Sequence, residues 1–297
     1  MDRDKLVNYE LTASIHTVEI HSNRRPLHGV LGEEVIKVTC KPGRKTGKLI
    51  SRSIINPHEY GYGEITNYSL YEEAMSEITE EVGLRNYEYS RVDIRLDCFE
   101  DNYLEYVKLN GLLLGLFSIA YKVINDDVTV NSGLRKRFVH GVYLKNQSMG
   151  IEYYDKKKQS QNKFPCKARL EFRAFKLKGK CPVDVMNTWN RRLGRLERYY
   201  DKFLDECNED LYRYYEYWLK KNQLDNSAKS TLRCFIRENQ GIVFTTKQLE
   251  RFCLMCGWNE GRGKRIHDTL HIEMISQSDI RRYISKIKKE IARYMET

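Results

Sequence analysis

The sequence predicts an α+β fold: a mainly antiparallel sheet with helices on one face, followed by a helical C-terminal region. Three observations predict it. Short segments rich in β-branched and aromatic residues recur from about residue 8 to residue 173. Two helical patterns interrupt them, which favours an antiparallel sheet covered on one side. After Pro182 the period changes, and residues 183–221 carry one long amphipathic pattern dense in Tyr, Trp, Leu and Arg.

Strands are expected at 9–20, 34–40, 49–55, 89–99, 139–144, 151–155 and 168–175. The run Lys41-Pro42-Gly43-Arg44-Lys45-Thr46-Gly47 is a basic, Gly/Pro-punctuated turn, and Asn56-Pro57 closes the strand before it. The first helix is expected to open with Ser69 as its N-cap and to stop at Gly83. A second, over about 103–123, places Leu109, Leu112, Leu113 and Leu116 at helical spacing. Further on, Thr245 to Gln248 caps a helix ending near Gly257, Gly261 to Arg265 reads as a basic turn, and Ser276 to Asp279 caps a basic helix to Met295. Short helices joined by a basic turn suit a helix-turn-helix or winged-helix DNA reader. The expected division is therefore 1–180, a catalytic α+β domain, and 181–297, a helical region for DNA recognition or dimerisation.

Charge and composition narrow the partners. With 297 residues the chain has room for two modest domains. Fifty-one Lys and Arg against 41 Asp and Glu leave a formal charge of +10, which favours nucleic acid as partner. Hydrophobic residues make up 41%, enough for a packed interior. The longest apolar run, Gly111 to Phe117, is too short to span a bilayer, and Met1 to Lys5 lack a signal-peptide core. A cytoplasmic protein with reduced thiols and no membrane partner is expected, the 8 cysteines being scattered along the chain.

One constellation carries chemistry. In the alternation Arg91-Val92-Asp93-Ile94-Arg95-Leu96-Asp97 the four charged residues share one strand face, where Asp93 and Asp97 could hold a divalent cation. The segment Ala168-Arg169-Leu170-Glu171-Phe172-Arg173 repeats the pattern with Glu171 between two arginines. Just before it, Tyr153-Tyr154-Asp155 runs into Lys156-Lys157-Lys158. Carboxylates, a cation and a phenol in positive surroundings are what attack on a phosphodiester by a tyrosine oxygen requires. Adjacent residues of a strand face opposite ways, so Tyr153 and Tyr154 cannot both face the acids, and without the register Tyr143, Tyr153 and Tyr154 remain alternatives.

These segments, with Val142-Tyr143-Leu144 between the first and the last, resemble in order and spacing the Rep_trans family. Its members are the trans-acting rolling-circle replication initiators of Gram-positive plasmids, with related relaxases of conjugative elements. The resemblance covers roughly residues 49–175. It implies Tyr154 as the nucleophile forming a 5′-phosphotyrosine, and Asp93, Asp97 and Glu171 as ligands of Mg²⁺ or Mn²⁺. Arg95, Lys156, Lys157, Arg169 and Arg173 would position DNA phosphates. The implied partner is origin DNA, single-stranded or an extruded hairpin, nicked and rejoined without a nucleotide cofactor.

Other readings compete. A noncatalytic DNA-binding replication or transcription regulator needs only the basic surface, and a conjugative relaxase would share the chemistry but differ in target. No GxxxxGK[ST] loop occurs, so any helicase is expected to be a separate partner. Cys253, Cys256, His267 and His271 approach a zinc-finger spacing. Leu249, Phe252, Cys253 and Cys256 also form a helical stripe, which makes the cysteines core residues instead.

Overall fold

The computed structural model describes residues 10–27, 29–42, 49–61, 64–99, 103–125, 141–161, 166–239, 245–271 and 274–296. Among them β1 (Leu11–Ser22), β2 (Ile36–Pro42), β3 (Leu49–Ile55), β4 (Tyr87–Cys98), β5 (Ile124–Asn125), β6 (Gly141–Lys145), β7 (Met149–Asp155) and β8 (Ala168–Phe175) form one 8-stranded sheet. Its order is β2-β3-β1-β4-β8-β7-β6-β5, antiparallel between the paired neighbours. This is the α+β architecture expected. The short β5 carries no pattern long enough to read, and Val139, the expected start of β6, lies outside the described residues.

Period-2 alternation sorts the central strands into two unlike faces. Val92, Ile94, Leu96 and Cys98 of β4 pair with Ala174, Phe172, Leu170 and Ala168 of β8 on the apolar face. There α4 (Pro182–Leu193) stacks Trp189 on Phe172, ring centroids 4.8 Å apart. Helix α1 (Tyr68–Glu81) buries Tyr71, Ala74, Met75 and Ile78, one stripe at helical spacing. Its N-cap is Asn67, whose side chain accepts from the Leu70 N–H at 2.9 Å, and not the expected Ser69, which lies inside the first turn. Two bulges keep both faces in phase along β1: His16 is the extra residue between Ile15 and Thr17, and Ser90 of β4 is skipped between Glu19 and Ile20.

The described residues form two compact units, and they are not contiguous in the chain. A boundary at 180/181 follows chain order; compactness groups α4 and the residues from Ile284 onward with the sheet, because the aromatic and aliphatic face of α4 has β8 as its partner. The other unit contains most of α2 (Tyr103–Tyr121), α5 (Tyr200–Lys221), α6 (Lys229–Glu238), α7 (Thr246–Met255), α8 (Arg262–Leu270) and the start of α9 (Gln277–Met295). The single helix expected over 183–221 is broken at Gly194 and by a 3-10 turn, Leu196–Tyr199. The expected basic turn from Gly261 is the left-handed N-cap of α8 followed by its first turn.

The core of this unit is aromatic. Tyr215 and Phe235 lie 4.8 Å apart, Phe235 and Phe252 5.9 Å, centroid to centroid, with Leu211, Leu249 and Ile266 around them. Gly115 is required where α2 meets α5, since a Cβ there would sit 2.1 Å from the Phe203 ring. All eight cysteines carry free thiols. Among the described residues, no helix is long and apolar enough to cross a membrane.

Candidate active site

The second face of the sheet is polar and buried. Asp93, Arg95 and Asp97 of β4 pair with Arg173, Glu171 and Arg169 of β8, and these with Gly150, Glu152 and Tyr154 of β7. Because directly paired residues share a face, the register puts Asp93, Asp97, Glu171 and Tyr154 on one surface. Tyr153 pairs with Leu170 and belongs to the apolar face. Tyr143 pairs with Glu152 and shares the polar one; its ring lies 5.1 Å below the Arg173 guanidinium, and Gly150 gives it room.

The contacts alternate in charge. Arg169 makes a bidentate pair with Asp97 at 2.6 and 2.9 Å, the fork geometry that fits guanidinium to carboxylate. Arg91 does the same to Asp93. Arg173 donates to Glu171 at 2.6 Å and also to Glu152. Arg95 donates to Ser14 at 2.6 Å and lies 3.4 Å from Asp97. The Tyr154 hydroxyl donates to Glu171 at 2.6 Å, and the Lys156 ammonium sits 5.8 Å from the Tyr154 ring centroid. Tyr154 itself is only 6% exposed.

Two histidines close the Arg95 side. His58 places Nε2 3.1 Å from the Ile15 carbonyl, which makes that nitrogen the donor and leaves Nδ1 to accept from Arg95 at 3.3 Å. Burial, and then the Arg95 charge, push His58 down to about 3. Burial pushes His16 down to about 3 as well, against the pull of Glu171. Both rings are neutral at physiological pH.

The carboxylates divide. Burial alone would raise Glu171, but Arg173, His16 and the Tyr154 hydroxyl outweigh it and hold the acid down to about 2. Glu152 is pushed up to about 7, first by burial and then by facing Glu171, although Arg173 opposes the rise. The two acids share one guanidinium, and Glu171, with the Tyr154 hydroxyl as a further donor, keeps the negative charge. Tyr154 is held well above the ordinary phenol value by burial and by the Glu171 charge.

The expected cation cradle does not form. Asp93 and Asp97 are four residues apart on one strand, about 13 Å at ~3.3 Å per residue, so no single ion can be bound directly by both. The lone pairs of Asp93, Asp97 and Glu171 are already directed at arginines and at Tyr154. Among the described residues no group of three or more His, Cys, Asp or Glu is arranged to hold a metal ion. Residues four apart share a strand face without being able to share an ion, because the strand rise separates them.

The zinc alternative fails on packing. Cys253 and Cys256 are buried in the aromatic core, where burial pushes both thiols up to about 12, while His267 pairs with Asp268. Lys157 is exposed on the short helix α3 (Lys156–Gln159). Sequence reasoning overlooked Glu152, His16 and His58. Parity with Tyr154 identifies the first; the histidines carry no local signal, since a bulge and a 3-10 turn bring them in.

No family model matches the chain, and no curated protein does. Among solved structures it is similar to the rolling circle replication initiator protein from Geobacillus stearothermophilus, at 13% identity over 56% of this chain and 75% of that one, with a TM-score of 0.29. At that level neither fold nor activity transfers.

Proposed function

We propose that the chain nicks and rejoins DNA through Tyr154, as an initiator of rolling-circle replication would. The observation that supports this best is the Tyr154 hydroxyl donating to Glu171 at 2.6 Å on a face that also carries Arg95, Arg169 and Arg173. The ordered motifs that resemble Rep_trans sequences support it independently. A phenol, a carboxylate to take its proton and guanidinium groups for a phosphate are the parts that phosphotyrosine formation needs.

The reaction we infer begins with an exchange of partners. A DNA phosphate entering the face competes with Glu171 and Asp97 for Arg173 and Arg169. Freed from its guanidinium, Glu171 becomes a stronger base beside the phenol. The Tyr154 oxygen attacks phosphorus while its proton passes to Glu171, the P–O3′ bond breaks, and the leaving 3′ oxygen takes a proton from water to become a hydroxyl. The phosphodiester energy is retained in the 5′-phosphotyrosine, and rejoining reverses these steps. Attack needs the oxygen within about 3–3.5 Å of phosphorus, with a lone pair of the phenol turned to the phosphate while its proton stays on the hydrogen bond to Glu171. Because the three acids form no shared cradle, no step is assigned to a metal ion.

The exposed Lys264 and Arg265 of α8, packed against α7 at Gly263, suit the helical unit to contacts with duplex DNA. A second reading, a DNA-binding regulator without chemistry, is favoured by the burial of Tyr154. The decisive experiment incubates the chain with single-stranded DNA drawn from the replicon that encodes it, with and without Mg²⁺ or Mn²⁺. The expected result is a protein–DNA adduct that survives denaturation, absent in Tyr154→Phe although that variant retains DNA. An adduct formed by the phenylalanine variant removes Tyr154 from the role, and no adduct from any such DNA favours the regulator.

A further inference from the structure

A groove of about 470 Å³ opens at the far end of the polar face, where the starts and ends of β1, β3, β4 and β8 meet. Arg91 belongs to both, bonded to Asp93 on the face and lining the groove with its guanidinium 5.8 Å from the Phe175 ring centroid. Arg52, Lys176 and Lys178 complete a cationic wall. Two carboxylates, Glu19 and Glu88, also line it, and Glu19 is already bonded to Arg52 and Ser90.

The lysines are held outward by the backbone. Lys176 and Lys178 both adopt left-handed conformations, φ 57° and 42°, which non-glycine residues rarely take without a reason in the surrounding structure. Between them Leu177 is buried at 5% exposure and pins the turn. Neither lysine has a carboxylate partner among the described residues. This contrasts with the face next to it, where each arginine is matched to an acid. Unmatched cations beside an aromatic ring and a stacking guanidinium suit a nucleic-acid backbone with its bases.

We propose that this groove binds a single-stranded stretch of the DNA whose scissile phosphate lies at Tyr154, an inference that rests on the nicking reading for the position of that phosphate. From Arg169, opposite Tyr154, to Phe175 is six residues of β8, about 20 Å at ~3.3 Å per residue. That is the length of about six stacked nucleotides at ~3.4 Å per strand step. The groove would therefore hold DNA several nucleotides from the cut and fix which phosphate reaches the phenol, through contacts that carry little base identity.

The test titrates a fluorescein-labelled oligothymidylate of 20 nucleotides with the full chain at several salt concentrations. Lys176→Gly/Lys178→Gly removes both charges while keeping a residue at ease with positive φ, so loss of fold does not confound it. Expected are an affinity about tenfold weaker and a salt slope shallower by about 1.4, two contacts at ~0.7 each for single strands. Lys176→Arg/Lys178→Arg should restore both. Reversing a charge in the other unit, Lys202→Glu, should change neither. Unchanged affinity and slope in the glycine variant, no binding by the unmodified chain, or equal competition by duplex DNA would each overturn the groove. Loss of the covalent adduct with groove-dependent binding intact would sink the nicking reading and leave the groove standing.

Discussion

The polar face of the sheet unit and the core of the helical unit are both buried, yet built from opposite materials. In the sheet unit four arginines, Arg91, Arg95, Arg169 and Arg173, face four acids, Asp93, Asp97, Glu152 and Glu171, and Asp93, Asp97, Glu152, Arg169 and Glu171 are buried to 4% exposure or less. In the helical unit the corresponding volume is filled by Tyr215, Phe235 and Phe252. Removing apolar rings from water is favourable in itself. Removing charges from water costs several kcal/mol per ion, and pairing roughly recovers that cost only when geometry and hydrogen bonds are good. A chain able to build a ring-packed core has therefore retained a charged one where its chemistry is proposed. Perturbed carboxylates and a buried phenol hydrogen-bonded to one of them are what functional sites tend to concentrate.

The comparison can be broken most sharply by removing one partner from each interior. Asp97→Ala strands the Arg169 guanidinium in a buried position and should cost about 3–5 kcal/mol. Phe252→Ala opens a cavity among rings and should cost about 3–5 kcal/mol as well. Chemical denaturation of both variants checks this. The double replacement Arg169→Met with Asp97→Leu then separates the two kinds of core, since exchanging a whole buried pair for apolar residues is often neutral or stabilising by about 1–4 kcal/mol. A stable double variant that retains DNA but forms no adduct would assign the pair to function; a strongly destabilised one would make it structural.

Acid should separate the units next. His16 and His58 have folded values of about 3 against an ordinary 6.5, so the unfolded chain binds more protons in that interval. Stability is then expected to fall as pH drops from 6.5 towards 3. Glu171 adds to the loss below 4.5, because its folded value of about 2 lies under the unfolded one. Glu152, raised to about 7, acts in the opposite sense: its contribution is present below 4.5 and is lost as pH rises through 7. His58→Gln should flatten the acid slope in denaturation midpoints measured from pH 7 to pH 4, and an unchanged slope would show that the ring is not buried neutral. The smallest effect is expected on the surface of the helical unit, where Lys247 pairs with Asp201 and both are more than half exposed. Lys247→Ala should change stability by less than about 1 kcal/mol, and by less still at high salt.

Much of the sheet was legible because a strand signals itself locally. Residues 91–97 alternate so regularly that the polar face of β4 follows from the letters, and the same holds for β8. Helix ends were legible where a cap lies beside its partner, as with Thr245 accepting from the Gln248 N–H at 3.0 Å. They are harder to read where the residue that caps, Asn67, stands two positions before the expected Ser69. The break at Gly194 escaped because amphipathic periodicity continues on both sides of it. For the candidate site, the tyrosine and three acids could be named from order and spacing, but not their contacts. Glu171 serves the phenol and Arg173, whereas Asp97 serves Arg169, which depends on register across three strands.

What the sequence determined by itself is what chain-local physics controls: alternation, helix stripes, net charge, and which residues can share a face of one strand. The tertiary structure alone decided which faces meet, and hence that every one of these acids meets a guanidinium, Glu152 and Glu171 sharing Arg173, and that Tyr154, not Tyr153, faces them. The reason is geometric. Side-chain direction along a strand repeats every two residues, but the pairing of strands is set by bulges, turns and the burial of the opposite face, over separations of tens of residues.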